Sequence, residues 1–164
     1  MASTITASTL TVKITETINL NGTNYGSNNS FEISSINEVL KRVVTCPASQ
    51  DTTIALFQSA VSDDIESLAL DTQDVKYIRV TNLDDTNSVN LSLQIDAGED
   101  DSSADESATI LLAAGQSFVM GTSHDSVAVS DANANINATL HDLESLLIDP
   151  IGNAVDVEVL VASI

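Results

Sequence analysis

Few side chains in this chain could move a proton or attack a carbonyl. There are two histidines, His124 and His141, and one cysteine, Cys46, in 164 residues. Ser123, His124 and Asp125 carry the residue types of a hydrolytic triad. Neighbours on an extended chain point to opposite faces, so these three cannot assemble with each other. Ser123–Asp125 therefore reads as a polar surface turn. Cys46 stands before Pro47, far in sequence from either histidine, and reads as a buried, inert thiol. With no second cysteine there is no intrachain disulfide.

Metal chemistry fares no better. Jelly-roll enzymes of the cupin type hold a metal with several histidines and a glutamate on adjacent strands. The two histidines here form no His-x-His pair, and no zinc spacing occurs. Asp96, Glu99, Asp100, Asp101, Asp105 and Glu106 crowd one stretch, and Asp63–Asp64 and Asp84–Asp85 form pairs. Calcium needs six to eight converging oxygens, and the 96–107 stretch lacks the order of an EF-hand loop. It reads as a solvated loop. Gly115 and Gly121 fit no phosphate-binding pattern. No catalytic, cofactor-binding or metal-ligating residue is assigned, and the chain is read as no enzyme. Carbohydrate recognition on aromatic platforms has little to draw on, with no Trp and two Tyr.

Charge narrows the partners. Twenty-four acids against five bases give a net charge of −19. The bases, Lys13, Lys41, Arg42, Lys76 and Arg79, never cluster beyond two. Nucleic acid and anionic membranes would repel such a surface, because affinity for phosphates comes from cations that displace counterions. Strong like charge keeps many copies soluble at high density, and salt screens that repulsion, which suits saline surroundings. Residues 1–8 have neither the basic start nor the apolar run of a signal peptide, and no stretch reaches the roughly 20 apolar residues of a membrane span. Sequons at Asn21, Asn28, Asn90 and Asn137 carry little weight without a secretory signal.

The elements that would position these residues are strands. Aromatics make up 3% of the chain, so the core must come from Val, Ile, Leu and Ala, and β-branched residues suit a pleated surface. Leu10, Val12, Ile14, Ile18 and Leu20 alternate with polar residues, broken by Glu16, and Phe31 and Ile33 resume the pattern. Asn21–Ser30 between them reads as a polar loop. Ser35–Thr45 fits either a capped helix or a strand. The β-branched run Val43–Thr45 favours the strand. A short strand is expected around Ile54–Phe57. Val75–Asn82 and Val89–Ile95 flank a short polar turn and read as a β-hairpin. Ile110–Leu112, Ser117–Met120 and Val127–Val129 are short apolar segments. Leu140–Ile148 is a strand or one to two helical turns, and Val155, Val157, Val159 and Val161 form a last alternating strand. The expected fold is all-β: a single-domain antiparallel β-sandwich, jelly-roll-like, over residues 9–164, behind a flexible N-terminal arm at 1–8.

Four stretches resemble small structural proteins of tailed phage virions, particularly marine and cyanobacterial ones. They are Val75-Lys-Tyr-Ile-Arg-Val-Thr-Asn-Leu-Asp-Asp-Thr-Asn, Lys41-Arg42-Val43-Val44 followed by Pro47, Leu112-Ala-Ala-Gly-Gln-Ser-Phe-Val-Met120 and Val157-Glu-Val-Leu-Val-Ala-Ser163. The similarity is one of pattern across residues 40–164, and the acidic stretch at 96–107 has no counterpart in it. The resemblance implies a sandwich that decorates or cements a capsid from outside, commonly as a homotrimer. It would be made in the host cytoplasm and contact the major capsid protein or other virion proteins. A tail, neck or fibre component is the alternative. It carries over no site residues and no cofactor.

Overall fold

The computed structural model describes residues 5–58, 69–96, 106–121, 126–130, 136 and 139–164. Thirteen strands and one short 3-10 helix account for its regular structure among these residues. Two compact units divide the chain, Met1–Glu38 together with Ile164, and Val39–Ser163. The sequence reading places its one boundary at residue 8 instead; residues 1–4 of that arm lie outside the described residues, and Ser8 already belongs to a strand.

The first unit is a β-ribbon. Strand β1 (Ser8–Thr15) pairs antiparallel with β4 (Asn28–Ile36), setting Leu10 opposite Ile33, Val12 opposite Phe31 and Ile14 opposite Asn29. Opposed residues share a face, so the aliphatic row lies on one side and Thr11, Glu32, Lys13 and Ser30 on the other. Past the ladder, β2 (Asn19–Leu20) and β3 (Thr23–Asn24) close the tip. Half of the Asn21–Ser30 stretch is thus strand, at Thr23–Asn24 and from Asn28 on, and the rest is turn and connection. Asn21 and Gly22 take φ of 51° and 81°, the left-handed pair that a two-residue hairpin turn needs and that Asn-Gly adopts readily.

Between ladder and tip the ribbon is pinched. The Glu16 amide donates to the Ser27 carbonyl at 2.8 Å, and the Tyr25 amide to the Ile18 carbonyl at 2.9 Å. A Cβ on Gly26 would sit 2.1 Å from the Glu16 carbonyl oxygen, so only glycine allows this approach. Gly26→Val should therefore open the tip and leave the second unit intact. Hydrogen exchange checks it: faster exchange at Glu16 and Tyr25 with unchanged protection across the strands Val89–Asp96 and Val155–Ser163 is the expected pattern, and unchanged exchange at the tip would contradict it.

The second unit is two facing antiparallel sheets. One holds, in order, β10 (Glu106–Leu112), β9 (Val89–Asp96), β12 (Asp142–Pro150), β6 (Thr52–Gln58) and the two-residue β7 (Leu70–Asp71), which runs parallel to β6. The other holds β11 (Ser117–Met120), β8 (Val75–Asn82), β13 (Val155–Ser163) and β5 (Glu38–Cys46). Leaving β7 aside, the pairings nest. β5 lies beside β13, β6 pairs with β12, β8 with β11, and β9 with β10. The β9–β12 and β8–β13 pairings join these ribbons within each sheet. Alternation buries Val89, Leu91, Leu93 and Ile95 from one sheet against Val155, Val157, Val159 and Val161 from the other, in a single core cluster.

Three local readings resolve here. Ser35–Thr45 is strand. Ser35 takes φ of 66°, outside the β-region conformation of a helix cap, and β5 follows directly. Leu140–Ile148 holds most of β12, which begins at Asp142. One extra residue, Glu144, bulges against β9 between Leu143 and Ser145 and spoils the period of two in the sequence. The hairpin expected from Val75–Asn82 and Val89–Ile95 does not form: β8 and β9 lie in different sheets. β8 takes its ladder partners from β11 and β13 instead, and the linker is anchored where it leaves the sheet by Asn82, which is fully buried. Its side-chain amide donates to the carbonyls of Asn87 at 2.9 Å and of Leu112 and Ala113 at 3.2 Å. Its side-chain oxygen accepts from the Asp84 amide at 3.0 Å.

Candidate functional site

Among the described residues the chemically capable side chains do not converge. Ser123, His124 and Asp125 lie outside the described residues, as do Asp63 and Asp64. His141 is tied through its backbone, its amide donating to the Val127 carbonyl at 2.8 Å. Cys46 ends β5 with no exposed surface. Burial pushes its thiol up from the ordinary value, a hydrogen bond with Thr52 opposes this, and the charge of Asp156 adds to it. A thiol kept protonated and covered is a poor nucleophile. Cys46 should thus resist an aromatic disulfide reagent at pH 8 and react only at the rate of unfolding; prompt stoichiometric labelling of the native protein would show this account to be wrong.

The acids are equally committed. Of the 96–107 stretch, residues 97–105 lie outside the described residues. Asp96 ends β9 and faces Asp142 across the ladder, while Glu106 starts β10. Among the described residues no three metal-capable side chains form a group. A cleft of about 510 Å³ is lined by Thr45, Leu83, Asp84, Asp85, Ala154 and Asp156. Asp84 is engaged there by the amides of Thr86 at 2.8 Å and Asn87 at 2.6 Å. The Asn87 and Thr86 amides hold the Asp84 carboxyl below its ordinary value. Asp156 accepts from the Thr45 hydroxyl at 2.6 Å. Asp84 thus holds the 84–87 turn in place, and Asp156 ties β13 to β5.

The two outer faces of the sandwich differ chemically. Four of the five cations lie on the four-stranded sheet: Lys41 and Arg42 on β5, Lys76 and Arg79 on β8. The strands of the five-stranded sheet carry none. On β5, Leu40 and Val44 pack against the core, so Val39, Lys41 and Val43 point outward, and both valines are more than half exposed. Lys41 reaches Glu158 at 3.2 Å, and Arg79 pairs with the same carboxylate. Val119 on β11 is exposed beside them, opposite Arg79. Arg42 turns inward and donates to the Ile54 carbonyl. An inward cation on an edge strand guards against unwanted pairing.

The outer face of the five-stranded sheet is a shallow polar groove of about 240 Å³. Asn90, Ser92, Gln94 and Thr109 line it, with Asp51, Asp149 and Leu147. Asp96, Asp142, Glu144 and Asp149 add negative charge along the same sheet. One broad face is thus charge-balanced and studded with valines, and the other is hydroxyl-, amide- and carboxylate-lined. Reading the sequence strand by strand misses this, although the signal is present: every base past Lys13 falls between residues 41 and 79. Sheet membership turns that clustering into a face.

The ribbon adds a further surface. Ile14, Ile18, Leu20 and Tyr25 are all large, apolar and exposed. No family model matches the chain, and neither a curated protein nor a solved structure matches it.

Proposed function

We propose that this chain is a structural protein of a phage virion, a passive module that decorates the capsid exterior and bridges neighbouring capsid subunits. The chemical difference between the two broad faces of the sandwich carries the reading. A plate with valines and paired cations on one side and a row of carboxylates on the other orients itself on a protein shell. Val39, Val43 and Val119 supply apolar area for burial, and Lys41 and Arg79 balance charge at the contact. The acidic face turns to solvent and keeps crowded copies apart. The nested pairing of β5 with β13, β6 with β12, β8 with β11 and β9 with β10 supports assigning residues 39–163 to the jelly rolls, an architecture common in capsid proteins.

Purified particles of the encoding phage provide the test. The chain spread over the shell lattice, released DNA at a lower temperature when its gene is deleted, and weakened particle binding by Val43→Asp or Arg79→Glu are the expected results. Copies confined to one vertex would move the assignment to a tail, neck or fibre part. Absence from the particles would end it.

A further inference from the structure

We infer that two inward-turned charged side chains, Arg42 on β5 and Glu106 on β10, keep the two long sheet edges of the sandwich from accepting a further strand. The inference concerns the second unit alone and stands apart from the role proposed above.

Among the described residues of this unit four strands end a sheet: β5 and β11 in one, β10 and β7 in the other. An edge strand presents unpaired N–H and C=O groups on which another chain can build. β7 has two residues and β11 has four, too few to template a strand. β5 and β10, with nine and seven, are long enough. β10 is the more hazardous of the two. From Ser107 to Ala114 the chain has no charge, no Pro and no Gly, the composition of segments that stack into cross-β assemblies.

Each long edge carries one charged residue on the face that meets the core. Leu40 and Val44 of β5 pack against the core, and Arg42 lies between them on the same face. Ala108 and Ile110 of β10 pack there too. The unbroken register puts Glu106 on their face, opposite the fully buried Ile95. The Arg42 Nε and the Glu106 Oε2 are buried without a hydrogen-bond partner, although both residues keep part of their surface in water. Unmet buried groups weaken a fold, so stability does not account for them. Position does. At an edge, water reaches an inward charge through the open side of the sheet. A strand added there closes that side and takes the charge out of water. The net charge of −19 also holds copies apart, but salt screens that repulsion, whereas the cost of desolvation persists in salt. Contacts of this unit are thereby confined to its broad faces and loops.

The experiment incubates full-length Arg42→Val and Glu106→Val beside the parent at high salt. Thioflavin fluorescence and sedimentation follow assembly, and urea denaturation confirms folding. Each variant should assemble at a concentration at least about tenfold below the parent's threshold. Hydrogen exchange should slow in the strand whose charge was removed. Ser107→Val adds the same side chain to the outward face of β10 and should stay dispersed, as should Arg42→Lys and Glu106→Asp. Where a valine variant fails to fold, Arg42→Met or Glu106→Met takes its place with the same expected result. Folded variants that stay as dispersed as the parent overturn the inference. So does Ser107→Val assembling as readily as Glu106→Val, since added hydrophobicity alone would then suffice. Assembly whose new protection lies outside β5 and β10 overturns it as well.

Discussion

Replacing Asn82 by leucine should lower the free energy of unfolding by about 3 kcal/mol, a large share of what holds a domain of this size together. The side chain is fully buried, and its amide is the donor for three main-chain carbonyls, those of Asn87, Leu112 and Ala113. Leucine has nearly the same volume and offers none of these bonds. The Leu112 carbonyl, bonded in a buried setting, would lose this donor, and an unmet buried acceptor is more costly than the net worth of its bond. Asn82→Asp should also destabilise, since it keeps the acceptor for the Asp84 amide but loses both donor hydrogens. Urea denaturation followed by circular dichroism reads both. A loss under about 1 kcal/mol for the leucine variant would mean that the link between the sheets is held elsewhere.

The same corner predicts a dependence on pH. Asp84 has a folded-state pKa below its ordinary value, held there first by the amides of Asn87 and Thr86. A depressed carboxyl stabilises the fold at pH above its unfolded value, and that contribution fades as pH falls through the folded one. Asp84→Asn should therefore lower stability at neutral pH, converge with the parent in acid, and so flatten the acid limb of the stability curve. An acid limb identical to the parent's would remove Asp84 from the account.

Phe57→Ala should cost about 4 kcal/mol, measured by the same denaturation. Phe57 is 2% exposed and is the largest of the fully buried side chains. It sits on β6, opposite Leu70 of the parallel β7. The rest of the cluster is almost wholly Val, Leu and Ile. β-branched residues have few rotamers with which to close a ring-sized hole, so the lost transfer energy is joined by a cavity term. Val159→Ala, which removes less volume from the same core, should cost clearly less. Equal losses at the two positions would contradict a packing origin.

Several strands could be read directly because their burial is one-sided. Val89, Leu91, Leu93 and Ile95 alternate with polar residues, and Val155, Val157 and Val159 with Asp156 and Glu158, since one face of each strand meets the core and the other meets water. β12 is harder to read, since its bulge at Glu144 leaves Ser145 and Leu146 both buried in succession. The tip of the ribbon reads as loop by composition, although Asn21-Gly22 is a local signal that strands flank it. Composition masked it, because Thr, Asn and Ser dominate both the turn and its short strands.

The candidate surfaces divide in the same way. The scarcity of nucleophiles and ligands, the acidity and the aliphatic, strand-forming chain follow from residue counts and spacing, so the all-β class was determined by the sequence alone. Pairing was not. A hairpin and a crossing between sheets both place two alternating runs around a polar linker; what separates them is whether Asn82 finds carbonyls from Leu112 and Ala113, thirty residues downstream. The two unlike faces depend on pairing too, for Lys41 and Arg79 meet at Glu158 only once β5, β13 and β8 are neighbours. Side-chain alternation is a local property of a strand, while the identity of its partner is settled by contacts distant in the chain, and only the tertiary structure holds those.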